Sequence, residues 1–217
     1  MKKLMLGLLL SAIFSAVPTY AATISPISYE MPNGYGQASG GSYNYWDKNY
    51  TGSGSTSTDG AYLSGGLGDL TDGIVTNLNW YSIENNGGTG PYVGWLDINP
   101  TITFHFASSV NINSISIHAD DSNGIGGVRL PSSVAFNGGA PLSVVDPDAS
   151  TSPSFLTFSN LSLIGSDLSI TLSRGDRWIF VDEISFNTSA VPEPETYAMF
   201  LAGLGLMGAV SRRRRNS

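Results

Sequence analysis

The chain predicts an all-β protein: a single antiparallel β-sandwich of the jelly-roll type, preceded by a signal peptide and followed by one apolar helix with a basic end. Three observations predict it. Apolar and polar residues alternate in Thr101-Ile102-Thr103-Phe104-His105-Phe106 and in Asn113-Ser114-Ile115-Ser116-Ile117-His118, the period of strands with one buried face. Turn-forming clusters, Asp120-Asp121-Ser122-Asn123-Gly124 and Ser173-Arg174-Gly175-Asp176 among them, separate such runs. Between residues 22 and 189 no apolar period of about 3.6 lasts long enough for a substantial helix. Many short strands without covering helices must pack sheet on sheet.

From the N-terminus, Lys2 and Lys3 precede an apolar run, Leu4–Val17, and then Pro18-Thr19-Tyr20-Ala21. A charged start, a short apolar stretch and small residues before a cut describe a secretory signal peptide, residues 1–21, removed before Ala22 after export by the Sec machinery.

The body, residues 22–189, suits one domain. Lys48, Arg129, Arg174 and Arg177 are its only basic residues, against 15 acidic ones, a net charge of −11 beside −7 for the whole chain. Such a body repels nucleic acid and anionic membrane. The absence of cysteine excludes disulfides, thiol catalysis and thiolate metal sites. From Asn33 to Trp95 the chain is rich in Gly, Ser, Thr and Asn, which favours turns and short strands. Tyr43, Tyr45, Trp46, Tyr50 and Tyr62 predict that these loops are ordered, since disordered chains are poor in aromatics. Further strands are expected at Ser133–Phe136, Ser154–Phe158, Leu168–Leu172 and Trp178–Phe186.

The C-terminal segment, residues 190–217, has three parts. Pro192 and Pro194 around Glu193 forbid both helix and central strand. Residues 196–211 are free of charge and, as a helix of about 24 Å, fall slightly short of a hydrocarbon core of about 30 Å. Arg212, Arg213, Arg214 and Arg215 then form a basic stop that stays cytoplasmic. Motif, marginal membrane helix and arginine cluster in this order resemble the PEP-CTERM sorting domain of Gram-negative bacteria. The resemblance implies processing by an exosortase near Pro192-Glu193-Pro194, a transient stay in the inner membrane, and delivery to the cell surface or extracellular matrix.

Within the body, Leu70-Thr71-Asp72-Gly73, Trp80, Val93-Gly94-Trp95, the strands at Thr101 and Asn113, and the closing run Phe180–Phe186 follow one another. This order resembles the galactose-binding-like, discoidin-type jelly roll. The resemblance implies a structural Ca²⁺ beside the D-G turn, with Asp69, Asp72 and Glu183 as its candidate carboxylates and Asp182 as an alternate. Calcium takes oxygen donors and tolerates irregular loops. The same residues also suit Asx-type turns and a solvated strand position.

No enzyme is expected. His105 and His118 are the only histidines, and neither a G-x-S-x-G elbow nor an H-E-x-x-H helix is present. Asp120 and Asp121 are adjacent, which suits a turn better than a glycosidase pair at a defined separation. Binding is the better reading. Trp46, Tyr50, Trp80, Tyr81, Tyr92 and Trp95 lie in or beside predicted loops, and Arg129 supplies hydrogen-bond donors. Aromatic faces with a few polar groups make up small-ligand sites, here for an extracellular polysaccharide. Each aromatic also suits a core position. A structural matrix or biofilm protein with no ligand site stays open beside the lectin-like module, with a glycan hydrolase as the remote alternative.

Overall fold

The computed structural model describes residues 22–36, 42–146, 151–188, 200–207 and 212. Ten strands build the body: β1 (Thr23–Ile24), β2 (Ser28–Pro32), β3 (Tyr62–Gly66), β4 (Val93–Leu96), β5 (Thr101–Ala119), β6 (Ser133–Phe136), β7 (Leu142–Ser143), β8 (Ser154–Phe158), β9 (Leu163–Ser173) and β10 (Trp178–Thr188). All pairings between them are antiparallel. Among the described residues of the body the helical content is one turn of α-helix, α1 (Trp80–Ile83), and two 3-10 turns, Asp69–Thr71 and Ile125–Gly127.

One strand joins the two layers of the sandwich. The first half of β5 runs between β2 and β9, with Phe104 opposite Tyr29 and Leu168. Its second half runs between β10 and β8, with Ile117 opposite Ile184 and Leu156. Between them the β9 ladder breaks from His105 to Val110. The two strands expected at Thr101 and Asn113 are therefore one. The small residues Ala107, Ser108 and Ser109 that separate them are exposed at the bend, and a strand that switches partners makes a corner of the sandwich.

The alternation read from the sequence places the core. Ile102, Phe104, Phe106, Ile115 and Ile117 of β5 are buried with Ile179, Val181, Ile184 and Phe186 of β10, and Phe104 meets Phe186 edge-on at 4.8 Å. Trp95 and Tyr29 are fully enclosed in the same core. The first half of β10 departs from simple alternation: residues 178–182 are all buried. Ile179 and Val181 face the main core, while Trp178 and Phe180 face a second cluster with Tyr45, Trp80, Tyr92 and Val128. A strand buried on both faces needs a cover over its outer face, and the loops carrying Tyr45 and Trp80 supply it.

Residues 200–207 are helical, with Phe200, Leu201, Leu204, Leu206 and Met207 exposed, and Arg212 is exposed too. Among the described residues no helix is long and apolar enough to cross a membrane. The span expected over residues 196–211 extends at both ends outside the described residues. The signal peptide, Pro192, Glu193, Pro194 and Arg213, Arg214 and Arg215 also lie outside them.

Candidate functional site

The outer aromatic cluster opens at one end of the sheet as a cleft of about 270 Å³. Its walls are Tyr45, Trp80, Leu96, Gly126, Val128, Arg177, Trp178 and Phe180. Five separate segments deliver them. The end of β4 and the start of β10 pair directly, Leu96 opposite Trp178. Val128 joins the same strand by a parallel bridge to Trp178, which brings the Ile125–Gly127 turn to the cleft.

The rings lock one another. Tyr45 stands at 78° to Trp178 with centroids 5.1 Å apart, at 89° to Trp80, and 4.5 Å from Phe180. Edge-to-face pairs of this kind add about 0.5–1.5 kcal/mol each beyond burial, so the floor is preformed. Trp80 is held from its backbone: its N–H donates to Asp120 Oδ2 at 2.6 Å, and Asp120 Oδ1 accepts from Asn79 Nδ2 and Ser122 Oγ. Asp120 thus caps α1 from a distant loop, in place of Asn79, whose own side chain makes no cap bond. The indole Nε1 of Trp80 is buried without a hydrogen-bond partner. The indole edge next to it faces Gly126, where an added Cβ would sit 2.5 Å from Cζ2 and φ is +67°. Glycine at that position sets the width of the cleft.

Charge is arranged in two tiers. Below the rings, burial pushes Glu84 up to about 8, and its Oε1 accepts the Tyr92 N–H at 3.0 Å. Burial also raises Asp120, and raises the Tyr45 phenol well above its ordinary range, with Glu84 adding to it. At the rim the sign reverses. Arg177 lines the cleft, and its Nη2 donates to Asp97 Oδ2 at 2.8 Å, while Arg174 Nη1 donates to Asp97 Oδ1 at 3.0 Å. Arg129 follows the Gly126 turn and stands 3.9 Å from Asp176.

Of the residues singled out from the sequence, Trp80 is a cleft wall, Tyr81 packs edge-on against it at 5.6 Å and is exposed, and Arg129 borders the same turn. The others lie elsewhere. Trp95 is in the main core with its Nε1 on Pro32 O, Tyr50 is buried with its hydroxyl on Tyr29 O, and Tyr92 is buried with its hydroxyl on Leu78 O. Trp46 lies outside the cleft, bonded to Asp59 and covered by Lys48. Tyr45, Trp178, Phe180 and Arg177 were not legible as site residues, because only the tertiary fold brings them together.

The D-G turn has its own geometry. Asp72 Oδ1 accepts the Ile74 N–H at 2.8 Å, and Glu183 Oε2 accepts the Gly73 N–H at 2.9 Å, so two carboxylates clasp one turn. Burial raises both; the Asp182 charge adds to Asp72, and Asp72 and Asp182 add to Glu183, which rises to about 7. Asp182 is spent on His118 Nδ1 at 2.6 Å and the Thr76 N–H at 2.9 Å. Asp69 points away, to Asn49 Nδ2, with its Oδ2 buried and unpartnered. Among the described residues no three acidic or imidazole side chains gather as a ligand set. Of the three candidate carboxylates, Asp72 and Glu183 meet at this turn and Asp69 turns to Asn49. Both histidines tie neighbouring strands: His105 Nδ1 meets Asp167 on β9 at 2.5 Å, and His118 lies buried between Asp182 on β10 and the ring of Phe155 on β8.

Two layers hinged on one bent strand, with a loop-built cleft at the end of the sheet, define a galactose-binding-like β-sandwich. The chain belongs to the family described as the discoidin domain-containing receptor 1/2, DS-like domain, which matches residues 26–188. Residues 190–215 match the PEP-CTERM protein-sorting motif. No curated protein matches. Similar solved structures include the family 32 carbohydrate-binding module of NanJ from C. perfringens in complex with galactose. It is 11% identical with a TM-score of 0.32, over 44% of this chain and 75% of that one. The serum f-lectin (fucolectin) of striped bass, Morone saxatilis, is 12% identical with a TM-score of 0.37, over 78% of this chain and 75% of that one.

Proposed function

We propose that this is an exported, surface-delivered, glycan-binding protein without catalytic activity. The sorting motif at residues 190–215 supports handling by an exosortase at the inner membrane and release to the cell surface or exopolysaccharide matrix. The observation that carries the binding reading is the cleft itself: rigid aromatic walls with an arginine donor, Arg177, at the rim. A pyranose offers an apolar ring face for aromatics and hydroxyls for such donors, the usual division of labour in a small-ligand site. Calcium at Asp72 and Glu183 belongs to the same reading as a structural ion that holds the D-G turn.

The test is retention of the purified protein on the producing organism's own exopolysaccharide. Trp80→Phe shortens the cleft wall and keeps an aromatic ring. It is expected to weaken retention while the melting temperature stays within a few degrees. Equal retention of wild type and variant, on this and on unrelated polysaccharides, points instead to a structural matrix role.

A further inference from the structure

Three of the four basic residues of an otherwise acidic body gather at or beside one cleft. Arg177 lines it, Arg174 shares Asp97 with Arg177, and Arg129 follows the Ile125–Gly127 turn, which packs beside Arg177. The fourth, Lys48, lies elsewhere, 5.8 Å above the ring of Trp46. Exposed carboxylates elsewhere, Asp59 and Asp167 among them, make an anionic polymer unwelcome away from the cleft.

Stability does not account for this placement. The Arg174, Arg177 and Arg129 pairs are surface ion pairs, whose median worth is about 0–1 kcal/mol. Nor are the arginines neutralised in place. Asp97 divides one negative charge between two guanidiniums, and Arg129 reaches Asp176 only at 3.9 Å. The hydrogen bond from Arg177, with both arginine charges, keeps the Asp97 carboxyl below its usual range, so Asp97 stays ionised and clamps Arg177 at the rim. Arg177 gives Nε and Nη2 to that clamp. A guanidinium has five donors, so others remain for a ligand, and its planar fork matches a carboxylate.

Resting on the glycan-binding reading above, we infer that the saccharide taken by the cleft is acidic. A uronate-bearing sugar sets its ring against Trp80 and Trp178 and its carboxylate against Arg177, with Arg129 adding charge from the neighbouring turn. The cleft selects for the anion, and the acidic remainder of the body prevents a polyanion from adhering elsewhere.

The experiment uses the full chain, purified after export, in affinity electrophoresis through polygalacturonate and hyaluronate, each beside its fully methyl-esterified form. The ester keeps the sugar ring and removes the charge. The acid forms are expected to bind about tenfold tighter than the esters at low salt, with the difference shrinking as NaCl rises. Arg177→Gln is expected to erase the preference, while Lys48→Gln, equal in net charge, keeps it. Equal binding of acid and ester, or a preference lost equally in both variants, overturns the acidic-ligand inference and leaves glycan binding standing. Binding to neutral galactan alone does the same. Binding to no saccharide at all brings down the glycan reading and this inference with it.

Discussion

The carboxylate of Asp120 accepts the backbone N–H of Trp80 at 2.6 Å, across 40 residues of sequence. Asp120 extends the turn after β5, and Trp80 opens α1, so one charge-assisted bond fixes the cleft wall to the end of the longest strand. Hydrogen bonds to charged groups contribute about 1.5–3 kcal/mol, and their loss strands buried donors. Asp120→Ala should therefore cost about 2–3 kcal/mol in urea denaturation. It should also weaken polysaccharide retention more than Val134→Ala, a cavity variant remote from the cleft. Equal loss of retention in both would mean that Asp120 acts on stability alone.

Gly126 tests the width of the cleft. At φ +67° a side chain is strained by about 1–2 kcal/mol, and its Cβ would press on Trp80 Cζ2. Gly124 is the control: its φ is +92°, but a Cβ there meets only the flexible end of Arg129, at 3.2 Å. Gly126→Ala should shift the tryptophan emission and reduce retention, and Gly124→Ala should lower stability by about 1 kcal/mol with emission unchanged. Identical spectra from the two variants would remove the contact from the argument.

The sequence shows the fold more fully than the site. Period-two alternation in β5, β9 and the second half of β10 is a local property, and it survives folding because each of these strands buries one face. The continuity of β5 was hidden, since exposed Ala107, Ser108 and Ser109 look like a turn when their sheet partners are unknown. The cleft was half visible. Trp80 and Arg129 stand out, but Tyr45 and Trp46 are adjacent, and only the fold decides which ring faces Trp178. One signal was available in the composition: three arginines among four basic residues in so acidic a body mark a place where positive charge is wanted.

The tail is tested by replacing Pro192, Glu193 and Pro194 with alanines. The variant should be exported but kept uncut in the membrane fraction, at precursor mass less the signal peptide. Alanine is the best helix former, so the substitution removes both the breakers and the recognition triplet. Normal surface delivery at the wild-type mature mass would make residues 190–217 a plain anchor.

Calcium is tested by melting in millimolar CaCl₂ against chelator. An ion at 100 times its Kd stabilises by about 2.7 kcal/mol, and Glu183→Gln should abolish the difference. Asp69→Asn should leave it intact, because Asp69 turns away from the D-G turn toward Asn49. Coincident melting curves in calcium and chelator would exclude the ion.

The buried carboxyls fix how stability depends on pH. Burial pushes Glu84 up to about 8, Glu183 to about 7 and Asp121 to about 6. Unfolded carboxyls titrate near 4, so between about pH 4 and pH 8 the folded chain holds more protons than the unfolded one. Stability then falls as pH rises through that window, since its slope follows protons bound unfolded minus folded. The exposed carboxylates lowered by basic partners, Asp97 and Asp167, act in the opposite sense only at more acid pH. In chelator at fixed ionic strength the melting temperature should be at least about 4 °C higher at pH 5 than at pH 8, the equivalent of one to two kcal/mol. Glu84→Gln keeps an oxygen for the Tyr92 N–H and cannot ionise, so it should flatten the slope between those two pH values. Its absolute stability is not the readout, because a buried amide replaces an oxygen that has no partner. A wild type more stable at pH 8, or a variant slope equal to the wild-type slope, would place the titrating groups elsewhere.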